Sequence, residues 1–423
     1  MSPLEKAYYI LRHLGPRVIW LRAGVYLSNS LGRTRRIFRA QPWDQIDLAE
    51  LVRAGTPIDA NSYARFKREN PPPFLFPLGQ PPEVPRELRT AGVARQPPLP
   101  ERLRLLAEDR CVYFFRSPSP SPIDWYANPF DGTRSKPGKA WTDVPDYLPD
   151  QGDPRMLWEP SRAAWAVDLA RARSHGSEVS AGSLFWRWVD SCMEACPPFE
   201  GFQWKCGQES AVRFIAIALG FWSLAGDAAT SPTRWQQFAR LAWATGYRIA
   251  HHINYAISQR NNHALSEACG LLLVSQLFPE FHEADAWREK GRRVLAREIR
   301  RQTYVDGSYI QQSMNYQRVM LATSLLALRL AELRSEPFER DIYERLGRCG
   351  EFLFQMMDSQ TGRLPQLGNN DGAHVLPLNE CDFTDFRPVI QAAHYLVHRK
   401  RRLQRGAWDE DVLWLFGADA LTD

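Results

Sequence analysis

From residue 155 to about residue 405, apolar residues recur at i, i+3, i+4 and i+7 in one segment after another. That spacing lines one face of an α-helix and predicts helices over 155–175, 183–196, 207–225, 232–256, 262–277, 284–302, 313–334, 339–358 and 386–403. The loops between them are mostly short, so successive helices turn back on each other as antiparallel hairpins. No run of strands reads within this stretch, and no fixed-length repeat, which argues against TPR or ankyrin arrays. The expected fold is all-α: antiparallel hairpins curving into an arc or an incomplete (α/α) toroid, preceded by a basic helical N-terminal arm.

The chain ahead of this array has a different character. Residues 71–100 are Pro-rich and predict an extended linker or wrapping segment, with short helices before it, one of them in "WDQIDLAELVRAG". After it, "CVYFFRS" reads as a strand, followed by a long loop through residue 152. The expected division is an arm and linker over 1–100 and a toroid domain over 101–423.

Charge is unevenly placed. Residues 1–40 hold eight Lys/Arg and one acid, a local +7, so the net +5 leaves −2 for the rest of the chain. Such an arm can meet nucleic acid or an anionic membrane, but a helix with a solvated basic face is the simpler reading. A second basic run, "HRKRRLQR" at 398–405, reads as the last turn of a helix, where cations face the negative dipole end. With 44% hydrophobic and 24% charged residues the composition is that of a globular protein. Seven cysteines form no CxxC pair, and Cys192 and Cys196, one turn apart, lack metal-binding neighbours. All seven are expected to be buried reduced thiols. No apolar run is long enough to span a bilayer and no secretory signal is evident. The expected location is cytoplasmic by default, or periplasmic if an export signal lies outside this sequence.

Polar residues gather where helices begin. "NNHALSEACGLLL" from 261, "WKCGQESAVRF" (204–214), "DGSYIQQSMNYQRVML" (306–321) and "GNNDGAHVLPL" (368–378) each set amides, acids or a Tyr beside an apolar segment. In an α/α toroid one set of helix ends converges at one mouth, so these four stretches line one cleft. A cleft rich in Asn, Gln, His, Tyr and Trp suits an anionic sugar. β-Elimination from a uronic acid needs donors that neutralise the carboxylate and the enolate forming beside it. It also needs a base for the C5 proton and an acid for the departing oxygen. Asn262, His263 and Tyr316 are of the required types.

The same stretches, with "DWYANPFDG" (124–132), Trp141 and "GDPRMLWEPSRAAWAVDLARA" (152–172), resemble the heparinase II/III polysaccharide lyases, specifically their N-terminal α/α toroid. The resemblance implies that Asn262 neutralises the uronate carboxylate, that His263 is a base or charge neutraliser, and that Tyr316 is the acid, base or both. It implies that Glu267 orients the histidine helix and that Glu209 and Arg213 shape the cleft floor. Trp204, Gln312, Asn315, Asn370 and Asp371 complete the expected substrate contacts. The partner it implies is an anionic polysaccharide or oligosaccharide, not nucleic acid; no oligomeric state follows. Two positions depart from the family pattern: Gln317 follows the tyrosine where many members have His, and Gln311 stands five residues before it where they have Glu. Members of the family continue into a C-terminal β-sandwich that adds a catalytic His or Tyr and often a zinc. No cofactor is expected in this chain, and the toroid is expected to end near its last residues, as one domain of a longer protein or as a toroid alone.

Plainer accounts compete at each position. Asn261 and Asn262 are good helix caps, and Glu209 and Arg213, four apart, make an ordinary intrahelical ion pair. Asx-turn geometry accounts for Asp371, and Trp204, Trp125 and Trp141 are as well placed for core packing as for stacking on sugars. Two other functions use the same residues: a toroid glycoside hydrolase with Glu209, Glu267 or Asp371 as its paired carboxyls, and a glycan-binding or polysaccharide-assembly protein without turnover.

Overall fold

The computed structural model describes residues 15–89, 94–145 and 153–422, with Tyr8 and Arg12. The start of the basic arm, residues 90–93 of the Pro-rich segment and residues 146–152 of the following loop lie outside the described residues. Helix α1 (Pro16–Ser30) opens on a proline, whose missing N–H is no loss in a first turn. It is followed by α2 (Arg33–Ile37), by α3 (Leu48–Leu51), capped by Asp47, and by α4 (Ala60–Glu69), capped by Asp59. The Pro-rich stretch before α5 (Leu99–Ala107) is irregular but not loose. It buries Phe74, Leu75 and Phe76, and Trp222 donates its indole N–H to the Phe76 carbonyl at 2.9 Å.

The array then runs α6 (Pro154–Ser161), α7 (Ala164–Ser174), α8 (Ala181–Ala195), α9 (Gly207–Leu224), α10 (Pro232–Gln259), α11 (Asn262–Leu277), α12 (Ala284–Gln302), α13 (Met314–Leu333), α14 (Arg340–Met356), α15 (Arg387–His398) and α16 (Asp409–Phe416). Alternate helices pack on one another in succession: α7 on α9, α9 on α11, α11 on α13, α13 on α15. Helices α8, α10, α12 and α14 lie outside them. Composition follows position. Every residue of α9 is buried and α11 is apolar nearly all round, whereas α10, α12 and α14 are amphipathic. This is the expected α/α toroid of hairpins. Because every second helix is inner, the inner helices run parallel and begin at the same end of the ring.

A buried charge cluster ties the two ends of the array together. Arg102 on α5 binds Asp168 on α7 at 2.9 Å and Glu380, in the turn before α15, at 2.7 Å. Arg171 on α7 binds Glu410 on α16 at 2.8 Å. Charges this deep persist only when paired, so separating these elements would leave a buried charge without its partner.

Several sequence expectations need correction. The 155–175 segment is two helices, because Ala163 takes the left-handed region (φ 60°) and turns Arg162 inward. "CVYFFRS" is not one strand. It folds into a hairpin of β1 (Val112–Tyr113) and β2 (Ser117–Pro118), with Phe114 and Phe115 at positive φ in the turn. The basic run at 398–405 is a loop, since Arg399 is left-handed and ends α15. Its arginines answer side-chain carboxylates rather than a helix dipole, as Arg399 does with Glu332. All seven cysteines are free thiols, but Cys206 is only half-buried. The helix α16 had no counterpart in the periodicity.

Candidate active site

Three inner helices start at one mouth. Asn261 caps α11, accepting from the His263 backbone N–H at 3.1 Å. Ser313 caps α13, accepting from the Tyr316 N–H at 3.2 Å. Cys206 precedes α9 and lies 3.6 Å from His263 Nδ1. Helix starts carry unpaired N–H groups and the positive dipole end, so this convergence favours an anionic ligand.

Beneath the mouth lies a buried polar floor. Asn262 donates to Gln208 Oε1 at 2.6 Å, Ser266 donates to the same oxygen at 3.2 Å, and the Asn262 N–H donates to Gln311 Oε1 at 3.0 Å. Arg162 grips Glu209 with two hydrogen bonds of 2.7 and 2.9 Å and reaches Glu159 at 3.1 Å. Burial opposes ionisation of Glu209, but the Arg162 charge outweighs it and holds the carboxyl below its usual range. Glu159, with a lesser share of Arg162, is raised by burial. Glu267 is raised furthest: burial pushes its pKa to about 8 against the opposing charge of Arg248, and its Oε2 has no hydrogen-bond partner.

The phenol sits on the other side. Tyr316 donates to Asp371 Oδ2 at 3.1 Å, while Asp371 Oδ1 accepts from the Ala373 N–H at 3.1 Å in an Asx turn. The 368–372 turn is held on the start of α13 by Ser313, which donates to the Asn369 carbonyl at 2.6 Å. It can approach that closely because Gly368 has φ 74° and no Cβ; one placed there would lie 2.3 Å from the Gln312 carbonyl. Burial first, then the Asp371 charge, push the Tyr316 pKa up to about 12. Burial holds His263 below its ordinary value, opposed by Glu209 and Asp371 and assisted by Arg162. Histidine and phenol therefore feel the same two charges, Asp371 and Arg162, and both are uncharged at neutral pH.

Asp371 and Asn370 also line an open cleft of ≈ 830 Å³ with Arg116, Arg155 and Arg363. Asp382 pairs with Arg116 at 3.2 Å, and Asp153 takes Arg155 at 2.8 Å. The Arg363 guanidinium has no partner among the described residues. Among those residues no three His, Cys, Asp or Glu side chains gather as for a metal ion.

The family model described as Heparinase II/III N-terminus matches residues 112–371. The chain belongs to that family. A heparin-sulfate lyase of Bacteroides stercoris is 33% identical over 87 residues, 21% of this chain and 13% of that protein. The crystal structure of heparinase III shares the fold with a TM-score of 0.54 and 16% identity, over 91% of this chain and 53% of that one. A mutant of heparan sulfate lyase HepC from Pedobacter heparinus gives a TM-score of 0.46 and 18% identity, over 80% of this chain and 50% of that one. This heparinase II/III chain thus spans about half the length of the solved relatives. At family level it has a polysaccharide-lyase fold.

The heparinase-type mouth does not expose every expected residue. His263, Tyr316 and Asp371 are half-buried at the opening, and Gln312 and Asn370 are exposed. Asn262, Glu209, Arg213, Glu267 and Asn315 are buried in the floor. Glu209 does not pair with Arg213: Arg162 takes the carboxylate, while Arg213 donates to the Gln203 carbonyl and lies 5.1 Å over the Trp204 ring. Trp204 is 1% exposed and packs against Phe199 and Trp43, so it offers no face to a sugar. Trp125 and Trp141 are buried too. Asn315 accepts from Arg318 at 2.6 Å. Gln317 spans two backbone carbonyls, those of Gly307 and Cys349. Arg162, Gln208, Ser313, Arg155 and Arg363 were not singled out from the sequence. Only Ser313, a cap residue three positions before Tyr316, carried a local signal.

Proposed function

We propose that this domain binds a uronic-acid-containing glycan in the arginine-lined cleft and cleaves it by β-elimination. The observation that carries this is the Tyr316–Asp371 hydrogen bond at the edge of that cleft, with His263 close enough to feel the same Asp371 charge. The phenol is protonated at neutral pH, so it acts as a base only if its own proton has somewhere to go. Asp371 supplies the acceptor. Tyr316 Oη takes the C5 proton as the phenol hydrogen moves to Asp371 Oδ2, the C4–C5 double bond forms, and the C4–O4 bond breaks. The electron pair leaves on O4, and the proton returns through the same phenol to O4, so both residues end as they began. Neutral His263 donates a hydrogen bond to the uronate, and the converging helix starts and Arg155 offset its charge. Buried Asn262 acts as a positioning residue, presenting His263 from the floor.

Incubation of the chain with a panel of uronans tests the reading. Ultraviolet absorbance from the unsaturated product is expected, with Tyr316→Phe losing roughly 10²–10⁴-fold, the usual worth of one acid/base group. Hydrolytic products without unsaturation would overturn it. Hydrolysis has weak support. Of Glu209, Glu267 and Asp371 only Asp371 lines the cleft, and the other carboxylate there, Asp153, is held ionised first of all by its hydrogen bond from Arg155. Binding without turnover is the second reading, favoured by the burial of Asn262. Affinity for a uronan with no product, unchanged in Tyr316→Phe, would establish it.

A further inference from the structure

Helix α1 is apolar on two sides. Val18, Leu21 and Val25 lie on the side packed against α10. Trp20, Ala23, Leu27 and Leu31 follow at three-, seven- and eleven-residue spacing, which places them on one outward stripe. Among the described residues nothing covers that stripe: Trp20, Leu27 and Leu31 are 78%, 56% and 70% exposed, and Tyr26 on its flank is 72% exposed. A merely solvated face would carry polar side chains here. Apolar exposure this concentrated marks a binding surface.

The charge around the stripe indicates what it meets. Between residues 15 and 40 there are six arginines (17, 22, 33, 35, 36 and 39) and no acid. Arg17 also bears on Arg301, along with Arg260 and Arg297, so positive charge continues onto the neighbouring helices. Among the described residues, opposing carboxylates are Glu298, paired to Arg297, and Asp143, 3.5 Å from Arg35. A second copy of this chain would bring the same positive charge to the contact and repel it. An anionic partner with an apolar interior satisfies both features at once.

We propose that the outer face of α1 docks this protein on an anionic lipid bilayer. The helix lies in the plane of the interface with Trp20, Leu27 and Leu31 below the headgroups, Tyr26 at their level, and the arginines against lipid phosphates. It does not cross: no helix among the described residues is long and apolar enough to span a membrane.

Vesicle flotation of the full chain tests this, comparing phosphatidylcholine vesicles with vesicles containing phosphatidylglycerol. Flotation is expected with the anionic vesicles and not the neutral ones, falling at least ten-fold in Trp20→Glu/Leu27→Glu and when salt is raised several-fold. Both substituted side chains already face water, so thermal unfolding and any activity on soluble uronan should stay unchanged. Arg22→Glu/Arg33→Glu gives a second, charge-only variant with the same expected loss. The proposal is overturned by absence of flotation, by flotation that survives both double variants, or by a dimer in solution that Trp20→Glu/Leu27→Glu dissociates.

Discussion

The phenol of Tyr316 and the carboxylate of Asp371 are 55 positions apart in the chain and 3.1 Å apart in space. The carboxylate divides its work. One oxygen closes its own turn and the other takes the phenol, so Asp371 is at once a turn residue and a hydrogen-bond acceptor.

Asp371→Asn removes the charge that helps raise the Tyr316 pKa, and with it the acceptor. The phenol pKa should fall from about 12 towards its ordinary value of about 10. Elimination by this variant should be weak at neutral pH and partly recover as solution pH approaches 10 and phenolate forms without help. The pH dependence of kcat/KM checks this; parent-like activity at neutral pH would remove Asp371 from the relay.

Gly368→Ala should separate the two residues. Its Cβ would lie 2.3 Å from the Gln312 carbonyl, at a φ that L side chains disfavour. Forced shifts of this kind cost about 1–3 kcal/mol. A fall in melting temperature with a larger fall in activity is expected, since the displaced turn carries Asp371.

Arg162→Met leaves Glu209 buried without its bidentate partner. Breaking one side of a buried pair costs about 3–5 kcal/mol. Urea unfolding should show that loss, and Arg162→Met/Glu209→Gln should restore a good part of it. Equal stability of the single and double variants would mean that the pair is not what holds this floor.

Glu267 makes stability depend on pH with a defined sign. Its folded pKa of about 8 lies above the usual glutamate value of about 4.3. The contribution is therefore complete below the unfolded pKa and is lost as pH rises through the folded one. Within that window the loss is on the order of 1 kcal/mol per pH unit. Glu267→Gln has no proton to lose, so its stability relative to the parent chain should rise from pH 5 to pH 8 in parallel unfolding series.

The Arg363 guanidinium faces the cleft with no partner among the described residues. Arg363→Ala should raise KM for a uronan several-fold with little change in kcat, and flatten the dependence of KM on salt. A change confined to kcat would assign it to the chemistry instead.

Most of the helical array could be read in the apolar spacing because the inner and outer helices obey the same 3.6-residue period. The polar clusters at residues 206–209, 261–263 and 313–316 were legible for a related reason: they sit where inner helices start, and inner helices start together. The periodicity misled where the backbone turns for a tertiary purpose. Ala163 breaks a continuous apolar pattern so that Arg162 can reach Glu209, and Phe114 and Phe115 fold a strand-like run into a hairpin.

The sequence by itself determined that this chain is a stack of helical hairpins with amides, an imidazole and a phenol at one rim, since short-range spacing decides which residues share a helix face. Only the tertiary structure decided which of those groups meet solvent, which partner each charge takes, and that Trp204 and Asn262 lie beneath the site while Asp371 and the arginines line it. Those outcomes depend on contacts between helices far apart in the chain. Burial acts on charge through the whole surrounding shell of protein, which no local pattern of residues encodes.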